Sequence, residues 1–239
     1  MSSPDEDAAI AAEQARILAE YRRRERDIDA DLYAPWQAAT SFMRAGRARL
    51  ATRMLKDAEV FPGPGDPCLE IGYGSLGWLG ELVAWGIREA DLHGIELDPT
   101  RARRAAEILP GADLRVGDAT RMPWAPNSFR LVIASTVFSS ILDAAVRGAV
   151  ATEVVRVLSP GGALLWYDMG VNNPRNPNVH GIGRHELATL FPALRGQIRS
   201  VTLAPPLARW SAPKSWILSE VLEAIPFLRT HFLGVLVKR

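Results

Sequence analysis

The residues best suited to chemistry are a glycine-rich segment and a carboxylate that follows it along the chain. The segment reads Leu69-Glu70-Ile71-Gly72-Tyr73-Gly74-Ser75-Leu76-Gly77. Glycines after a buried strand allow a tight turn and the close approach of a ligand to the backbone, and the next helix offers free N–H groups there. Glu96 follows by about 20 residues, at the end of the next predicted strand, where an acid can bind ribose hydroxyls. The spacing predicts a site for an adenosine-containing cofactor.

Two further acids discriminate between the cofactors that such a loop could hold. Read literally, Gly72, Gly74 and Gly77 match the dinucleotide pattern G-x-G-x-x-G, which favours a nicotinamide cofactor. Glu70 lies two residues before the first glycine, where a carboxylate suits a cofactor with a positive end and would repel a pyrophosphate. Asp118 closes the third predicted strand and can accept a hydrogen bond from an adenine amino group.

The elements that position these residues are short apolar strands alternating with helices. We predict strands at 68–72, 92–97, 113–118, 130–135, 163–169, 197–203 and 231–237, and helices at 76–85, 100–109, 142–158 and 217–225. Near-continuous apolar strands with helical connections are typical of a parallel sheet covered on both faces. Right-handed crossovers then make an α/β doubly wound layer, with ligands at the carboxyl ends of the strands.

The region before the first strand has a different pattern. Residues 1–60 show apolar positions at helical spacing, and the segment PGPGDP at 62–67 ends that pattern. The sequence therefore predicts an N-terminal helical cap over 1–60. It predicts a Rossmann-like domain over 61–239, with a helical insertion at about 204–228.

Composition excludes several classes of protein. The 239 residues carry a net charge of +1 and are 48% hydrophobic, values that favour a globular fold and give no basic excess for nucleic acid. Cys68 is the one cysteine, which excludes an internal disulfide and a multi-cysteine metal site. We find neither a secretory signal nor an apolar run long enough for a membrane span. We expect a cytoplasmic protein with no metal, no nucleic-acid partner and no integral membrane association; a homo-oligomer stays open.

Four segments, taken in order, resemble the motifs of class I S-adenosylmethionine-dependent methyltransferases of the small-molecule type. They are the glycine loop, Gly117-Asp118-Ala119, Phe129-Arg130-Leu131-Val132 and Val157-Leu158-Ser159-Pro160-Gly161-Gly162, within about residues 66–170. The resemblance implies a seven-stranded, mainly parallel sheet with an antiparallel last strand, and S-adenosylmethionine as the cofactor. Two positions depart from the family pattern: Leu76 stands where the third glycine is usual, and Arg130 where Asp is common.

The resemblance also implies cofactor contacts, residue by residue. Carried over, Glu70, Gly72 and Gly74, with Tyr73 between the two glycines, would hold the methionine end of the cofactor. Glu96 would bind the ribose hydroxyls, with Leu97 against the adenine; Asp118 and Ala119 would contact the adenine edge, and Ser135 would lie near the sulfonium.

Residues for the acceptor are predicted with less support from motifs. A long polar loop follows the fifth predicted strand, and in it we interpret His180 as the general base, with Asp168 nearby, because an imidazole titrates near neutrality. The alternative is a loop whose polar side chains only satisfy backbone groups. The candidate acceptor contacts are Tyr21, Tyr33, Trp36, Arg175 and Trp210.

The sequence thus predicts methyl transfer to a small molecule, with a hydroxyl oxygen of a natural product, sugar or lipid-like compound as the acceptor group. No acceptor-specific motif supports the choice of oxygen. One alternative is an NAD(P)-dependent oxidoreductase built on the literal glycine pattern; Glu70, Asp118 and the lack of a Tyr-x-x-x-Lys pair oppose it. Another is a methyltransferase-like scaffold that binds a partner without turnover.

Overall fold

The computed structural model of the chain describes residues 4–74, 76–172 and 176–239. The strands are β1 (Cys68–Ile71), β2 (Leu92–Glu96), β3 (Asp113–Val116), β4 (Phe129–Ser135), β5 (Leu158–Met169), β6 (Leu194–Leu203) and β7 (Arg229–Lys238). The helices are α1 (Pro4–Asp27), α2 (Ala38–Asp57), α3 (Leu79–Ala84), α4 (Pro99–Ile108), α5 (Ala144–Val157), α6 (Arg184–Leu190), α7 (Pro205–Ser211) and α8 (Trp216–Ala224).

The strands form one sheet in the order β3-β2-β1-β4-β5-β7-β6. All pairs from β3 to β5 are parallel, whereas β7 runs antiparallel to both β5 and β6. The predicted fold class, a seven-stranded doubly wound sheet with its last strand antiparallel, is confirmed. The order reverses between β1 and β4, and ligands bind at such a reversal in open α/β sheets.

Strand β5 begins earlier than the sequence predicts. The apolar stripe suggests a helix to residue 158, but Leu158 already pairs with Phe129, and the register shifts before Ala163 pairs with Leu131. Gly161 has a φ of 73°, and a Cβ at Gly162 would lie 2.9 Å from the Arg130 carbonyl oxygen. The glycines therefore turn the chain within the strand, an irregularity that helical periodicity cannot show.

Both faces of the sheet are buried, which explains the near-continuous apolar strands. Along β4, Leu131 and Ile133 belong to one hydrophobic cluster, and Val132 and Ala134 belong to the cluster on the opposite face. Burying a side chain of this size contributes roughly 1.5–3 kcal/mol. The two covered faces leave the strand ends as the place where polar groups can meet a ligand.

The N-terminal region consists of two helices with different packing. Helix α1 buries only Ile10 and Glu13, whereas α2 buries Ala51, Met54 and Leu55 in the cluster that covers one face of the sheet. Helices α7 and α8 lie between β6 and β7, where the insertion was predicted. The division of the chain at residue 60 stays a prediction. Within the described ranges, no helix has the length and apolarity required to cross a membrane.

Candidate active site

A cavity of about 900 Å³ opens at the carboxyl ends of the strands. Helices α1, α2 and α7 contribute to its walls together with the strand ends. Pockets for small molecules have volumes of about 300–1,000 Å³. All nine residues predicted to contact the cofactor line it: Glu70, Gly72, Tyr73, Gly74, Glu96, Leu97, Asp118, Ala119 and Ser135. Tyr21 and Tyr33 line it as well.

Glu70 fixes the glycine loop to the start of α3. Its buried carboxylate accepts hydrogen bonds from the backbone N–H groups of Trp78, at 2.6 Å, and Leu79, at 3.0 Å. Gly77 has a φ of 54°, and a Cβ there would lie 2.3 Å from Glu70 Oε1. The loop therefore needs glycine at position 77. Leu76 instead packs towards Gly80 of α3 and is not among the lining residues, which accounts for the departure from the family pattern.

The charge state of Glu70 depends on its burial. Burial raises the pKa of the Glu70 carboxyl to about 8, although the two N–H donors and the charge of Arg47 act to lower it. Transfer of a carboxylate out of water disfavours its ionised form, and a nearby cation restores it. A cationic group bound beside Glu70 would therefore stabilise the carboxylate and release a proton.

Glu96 connects the end of β2 to the glycine loop. Its carboxylate accepts hydrogen bonds from Gly74 N at 2.8 Å and from Asp98 N at 2.9 Å. Gly74 has a φ of 59°, and a Cβ at this residue would meet no atom within 4 Å. The loop backbone therefore faces open space in the cavity beside a buried acid.

Asp118 lies at the end of the cavity beyond β3. It accepts hydrogen bonds from the backbone N–H of Thr120, at 2.9 Å, and from the Thr120 hydroxyl. Tyr21 of helix α1 also lines the cavity, and its ring centroid lies 3.9 Å from the guanidinium carbon of Arg101. Glu70, Glu96 and Asp118 thus place three carboxylates along one side of the cavity, which we call the acidic wall.

A second part of the cavity lining is basic, and we call it the basic wall. It is lined by Arg44, Arg47 and Arg209, together with Thr40, Met43, Tyr167, Thr202, Pro205, Pro206, Thr230 and His231. None of these described residues is an acid. Arg44 forms an ion pair with Glu81 at 3.4 Å. Within the described part of the chain, the side chains of Arg47 and Arg209 have neither a hydrogen bond nor an ion pair.

Arg47 lies among aromatic rings at the base of this wall. Its guanidinium carbon is 4.9 Å from the centroid of the Trp78 ring and 5.3 Å from that of Tyr167. The Tyr167 ring stacks on His231 at 5.0 Å with an interplanar angle of 5°. Burial lowers the pKa of His231 to about 4, and the charge of Arg47 adds to that shift. His231 is therefore a neutral imidazole at pH 7.

Two threonines that line the cavity adopt a conformation that is rare for β-branched residues. Thr136 follows β4 with a φ of 56°, and Thr202 is the penultimate residue of β6, with a φ of 66°. Both contact Tyr167: its carbonyl oxygen accepts from Thr136 N at 2.7 Å, and its hydroxyl lies 2.9 Å from Thr202 Oγ1. Such outliers cost about 1–3 kcal/mol each and cluster at functional sites.

The predicted base lies outside the cavity wall. His180 Nε2 is 2.9 Å from Glu186 Oε2, and its backbone N–H donates to the Ser139 carbonyl oxygen at 2.9 Å. Asp168 is fully buried, and its carboxylate accepts from Ser139 N at 3.0 Å. Burial raises the pKa of Asp168 to about 6. Both residues therefore hold the segment around Ser139, and neither lines the cavity.

Of the residues predicted to contact the acceptor, some line the cavity and others do not. Trp36 is 73% exposed, and Trp210 packs against Lys214, whose Nζ lies 4.1 Å from the ring centroid. Neither tryptophan lines the cavity, whereas Tyr21 and Tyr33 do. Arg175 lies outside the described residues.

Sequence reasoning missed the residues that form the basic wall. Thr40, Met43, Arg44 and Arg47 lie at i, i+3, i+4 and i+7, a spacing that places them on one face of α2. That pattern of one apolar and two basic side chains was available in the sequence. No comparable local pattern exists for Arg209, because only the packing of α7 against α2 brings it to the cavity.

Residues 68–162 match the family model described as a methyltransferase domain. None of the curated proteins compared with the chain matches its sequence significantly. Similar solved structures share the fold at low identity. One is a proposed sarcosine dimethylglycine methyltransferase from Galdieria sulphuraria (17% identity, TM-score 0.61, 80% of this chain and 84% of that one). Another is a SAM-dependent methyltransferase from Aquifex aeolicus, with 12% identity and a TM-score of 0.56 over 94% of this chain and 98% of that one. A third is phosphoethanolamine N-methyltransferase 2 from Haemonchus contortus in complex with S-adenosyl-L-methionine, with 16% identity and a TM-score of 0.57 over 80% of this chain and 52% of that one.

Proposed function

We propose that this chain, which carries a class I S-adenosylmethionine-dependent methyltransferase domain, methylates a small-molecule acceptor held between the acidic and basic walls. The observation that carries the proposal is the convergence of all nine predicted cofactor residues on one cavity. The cavity also has room beyond those residues, along α2, α7 and the ends of β5 to β7.

The residues of the acidic wall fit the chemistry of the cofactor. Glu70 is a buried acid that suits the ammonium of the methionine end. Glu96 suits the ribose hydroxyls, which can donate to a carboxylate already positioned by Gly74 N and Asp98 N. Asp118 suits the adenine amino group, with Ala119 and Leu97 beside it. Gly74 has a positive φ, no side chain and empty space beside its Cα, so the cofactor can approach the backbone of the loop closely.

When bound, the cofactor supplies a methyl group on a sulfonium; the carbon–sulfur bond breaks, its electron pair stays on sulfur, and the acceptor heteroatom gains the carbon. The contribution of the protein is mainly alignment, which can account for about 7–11 kcal/mol of a barrier. Ser135 ends β4 and Thr136 follows it next to the backbone of Tyr167, and both line the cavity. These residues therefore define where the nucleophile would lie.

A hydroxyl acceptor loses its proton when it is methylated, and the residue of the basic wall that can contact this hydroxyl as a hydrogen-bond partner is His231. His231 is neutral at pH 7 because burial and Arg47 oppose its charged form, and its Nδ1 lies 2.9 Å from Thr230 Oγ1. We assign it a hydrogen bond to the acceptor heteroatom. The proton that the methyl group displaces passes to water, because a group with a pKa of about 4 is too weak a base to keep it. His180 does not line the cavity, and its ring forms a hydrogen bond with Glu186 instead.

The proposed acceptor group remains a hydroxyl oxygen of a natural product, sugar or lipid-like compound. An amine nitrogen is the second candidate, favoured by the name of one similar structure, phosphoethanolamine N-methyltransferase 2. A cytoplasmic location and a homo-oligomeric state also stay predictions.

The test is a transfer assay that follows the cofactor product. The protein is incubated with S-adenosylmethionine and a panel of small phenols, alcohols and amines, and S-adenosylhomocysteine release is measured by mass spectrometry. We expect release that depends on one acceptor class, together with a methylated acceptor. Cofactor binding without release on any member would favour the silent scaffold, and binding of NADH in its place would favour the oxidoreductase.

A further inference from the structure

The cavity is lined by more charged residues than the three acids expected to hold the cofactor. Glu70, Glu96 and Asp118 form the acidic wall, and the described residues of the basic wall include three arginines and no acid. Glu13, Arg24 and Arg101 line the cavity outside both walls. An arginine inside a protein is normally paired, because an uncompensated charge in a partly desolvated site is costly. Arg44 forms an ion pair with Glu81, and the charge of Arg47 acts on Glu70. Arg209 is therefore the arginine of the wall for which the described residues supply no anionic partner.

The side chains of Arg47 and Arg209 both lack direct polar contacts with the described part of the protein. Neither side chain has a hydrogen bond or an ion pair with any residue that the structure describes, and both are only partly exposed. Arg47 is held by the faces of Trp78 and Tyr167, which leaves its N–H donors free of protein acceptors. A guanidinium presents a planar set of donors that matches a carboxylate or a phosphate through two parallel hydrogen bonds.

The rest of the wall is suited to the body of an organic molecule. Met43, Pro205 and Pro206 are apolar, and the stacked rings of Tyr167 and His231 form a flat surface. The low pKa of His231 is consistent with the positive potential of the wall, because the charge of Arg47 disfavours a second cation. Small-molecule sites typically combine such apolar surfaces with a few well-placed polar groups.

We infer that the acceptor is an organic anion, with an apolar or aromatic body and a carboxylate or phosphate that binds Arg209 at the basic wall, in the positive field of Arg47. The inference rests on the proposed function, because it assigns the acceptor side of the cavity by assigning the other side to the cofactor. It defines the class of acceptor that the transfer assay should test first.

The experiment measures the binding of three matched probes to protein saturated with S-adenosylhomocysteine. Saturation occupies the cofactor side, including any site for the carboxylate of the cofactor, so the probes report on the remaining wall. The probes are benzoate, phenyl phosphate and neutral benzamide, titrated by calorimetry at constant ionic strength. We expect benzoate or phenyl phosphate to bind at least about tenfold more tightly than benzamide, since hydrogen bonds to charged groups are the stronger ones. The tighter of the two identifies the anionic group.

Three variants locate the binding. Arg209→Gln should weaken the anionic probe by about tenfold or more, and Arg47→Gln should also weaken it. Arg104→Gln is the matched control: it makes the same change of charge at an exposed residue of α4 outside the cavity, and it should leave the affinity unchanged. The binding of S-adenosylhomocysteine is measured first in every variant, so that a damaged cofactor side is recognised.

Three results would overturn the inference. The first is equal binding of benzamide and the anions, and the second is unchanged binding of the anion in Arg209→Gln. The third is that neither anion binds at about 20 mM, the weakest useful range for a single charge-assisted contact. Absence of S-adenosylhomocysteine binding to the unmodified protein would instead overturn the proposed function. The two failures are therefore distinguishable.

Discussion

The acidic wall and the basic wall face the same cavity, but they are assembled in different ways. Each acid of the first wall lies at the end of its own strand and bonds to backbone N–H groups nearby, as Glu96 does with Asp98 N and Asp118 with Thr120 N. The arginines of the second wall lie on α2 and α7, far apart in the sequence. The side chains of Arg47 and Arg209 form no hydrogen bond or ion pair with a described residue. The residues of the first wall can therefore be recognised from the sequence around each strand end, whereas those of the second are brought together only by the packing of the helices.

This difference shows how the two sides can vary independently. The acidic wall is held by the backbone of the loops that form it, so changes there should disturb both the loop and the cofactor. The basic wall depends on side chains mounted on helices, so single substitutions there should alter ligand choice with little effect on the fold. The following predictions test that contrast.

The largest effect is expected from Glu96→Ala. Its carboxylate accepts from Gly74 N and Asp98 N and faces the ribose position, so the change removes a partner from the loop and from the cofactor. We expect the affinity for S-adenosylhomocysteine to fall by about 100-fold or more, from the loss of two charge-assisted hydrogen bonds. Calorimetric titration measures it.

The control for this change is Glu107→Ala, which removes an exposed carboxylate of α4 outside the cavity. It should leave the affinity unchanged. Near-unchanged affinity in Glu96→Ala itself would remove the ribose site from the account.

A second effect is expected in the glycine loop from Gly77→Ala. A Cβ at residue 77 would lie 2.3 Å from Glu70 Oε1, and the φ of 54° is unfavourable for alanine. We expect a loss of about 2–4 kcal/mol in the free energy of unfolding, from the left-handed conformation and the displaced carboxylate. Urea unfolding provides the measurement.

Gly86→Ala separates the two causes. Gly86 also has a positive φ, 91°, but a Cβ there meets no atom within 4 Å. It should therefore cost only the conformational part, about 1–2 kcal/mol. Equal losses in both variants would show that the contact with Glu70 does not matter.

How much the sequence could predict follows the same contrast. The strands and the acids of the first wall could be predicted, because strand ends and turn glycines leave local patterns. The antiparallel direction of the last strand was implied by the resemblance to class I methyltransferases and by no local pattern. The earlier start of β5 could not, since helical periodicity continues to Leu158 while pairing with Phe129 takes over. Arg209 and His231 could not be placed in a wall, because only tertiary packing brings α7 and β7 to the cavity. His180 was interpreted from its loop, and its bond to Glu186 depends on α6.

A third prediction concerns pH. Burial raises the pKa of Glu70 to about 8, and a cationic ligand end binds the ionised carboxylate, so binding below that pH releases a proton. The affinity for S-adenosylmethionine should therefore rise with pH, by at most about tenfold per pH unit, to a maximum at about pH 8, and fall above it as the ammonium of the cofactor loses its proton. Titrations from pH 6 to 9 (a range of about two units below and one above the pKa) measure it. Glu70→Gln should flatten the profile, and an unchanged profile in that variant would assign the titration to another group.

The smallest effect is expected at the tryptophans that the sequence suggested for the acceptor. Trp36 is 73% exposed and lies outside the cavity wall, so Trp36→Ala should leave the affinities for S-adenosylhomocysteine and phenyl phosphate within about twofold. Tyr33→Ala changes an aromatic residue that lines the cavity, and it should weaken the binding of phenyl phosphate more. A larger loss of affinity for phenyl phosphate in Trp36→Ala than in Tyr33→Ala would show that the acceptor binds outside this cavity.

The most direct test of the central claim is a calorimetric titration of the purified protein with S-adenosylhomocysteine, in parallel with NADH and NADPH. The account predicts micromolar binding of S-adenosylhomocysteine (about −8 kcal/mol) and none of either nicotinamide cofactor. That result would show that the loop with Leu76 and Gly77 accepts the cofactor. Absence of S-adenosylhomocysteine binding, with or without a nicotinamide signal, would contradict the assignment of the acidic wall and the methyltransferase function built on it.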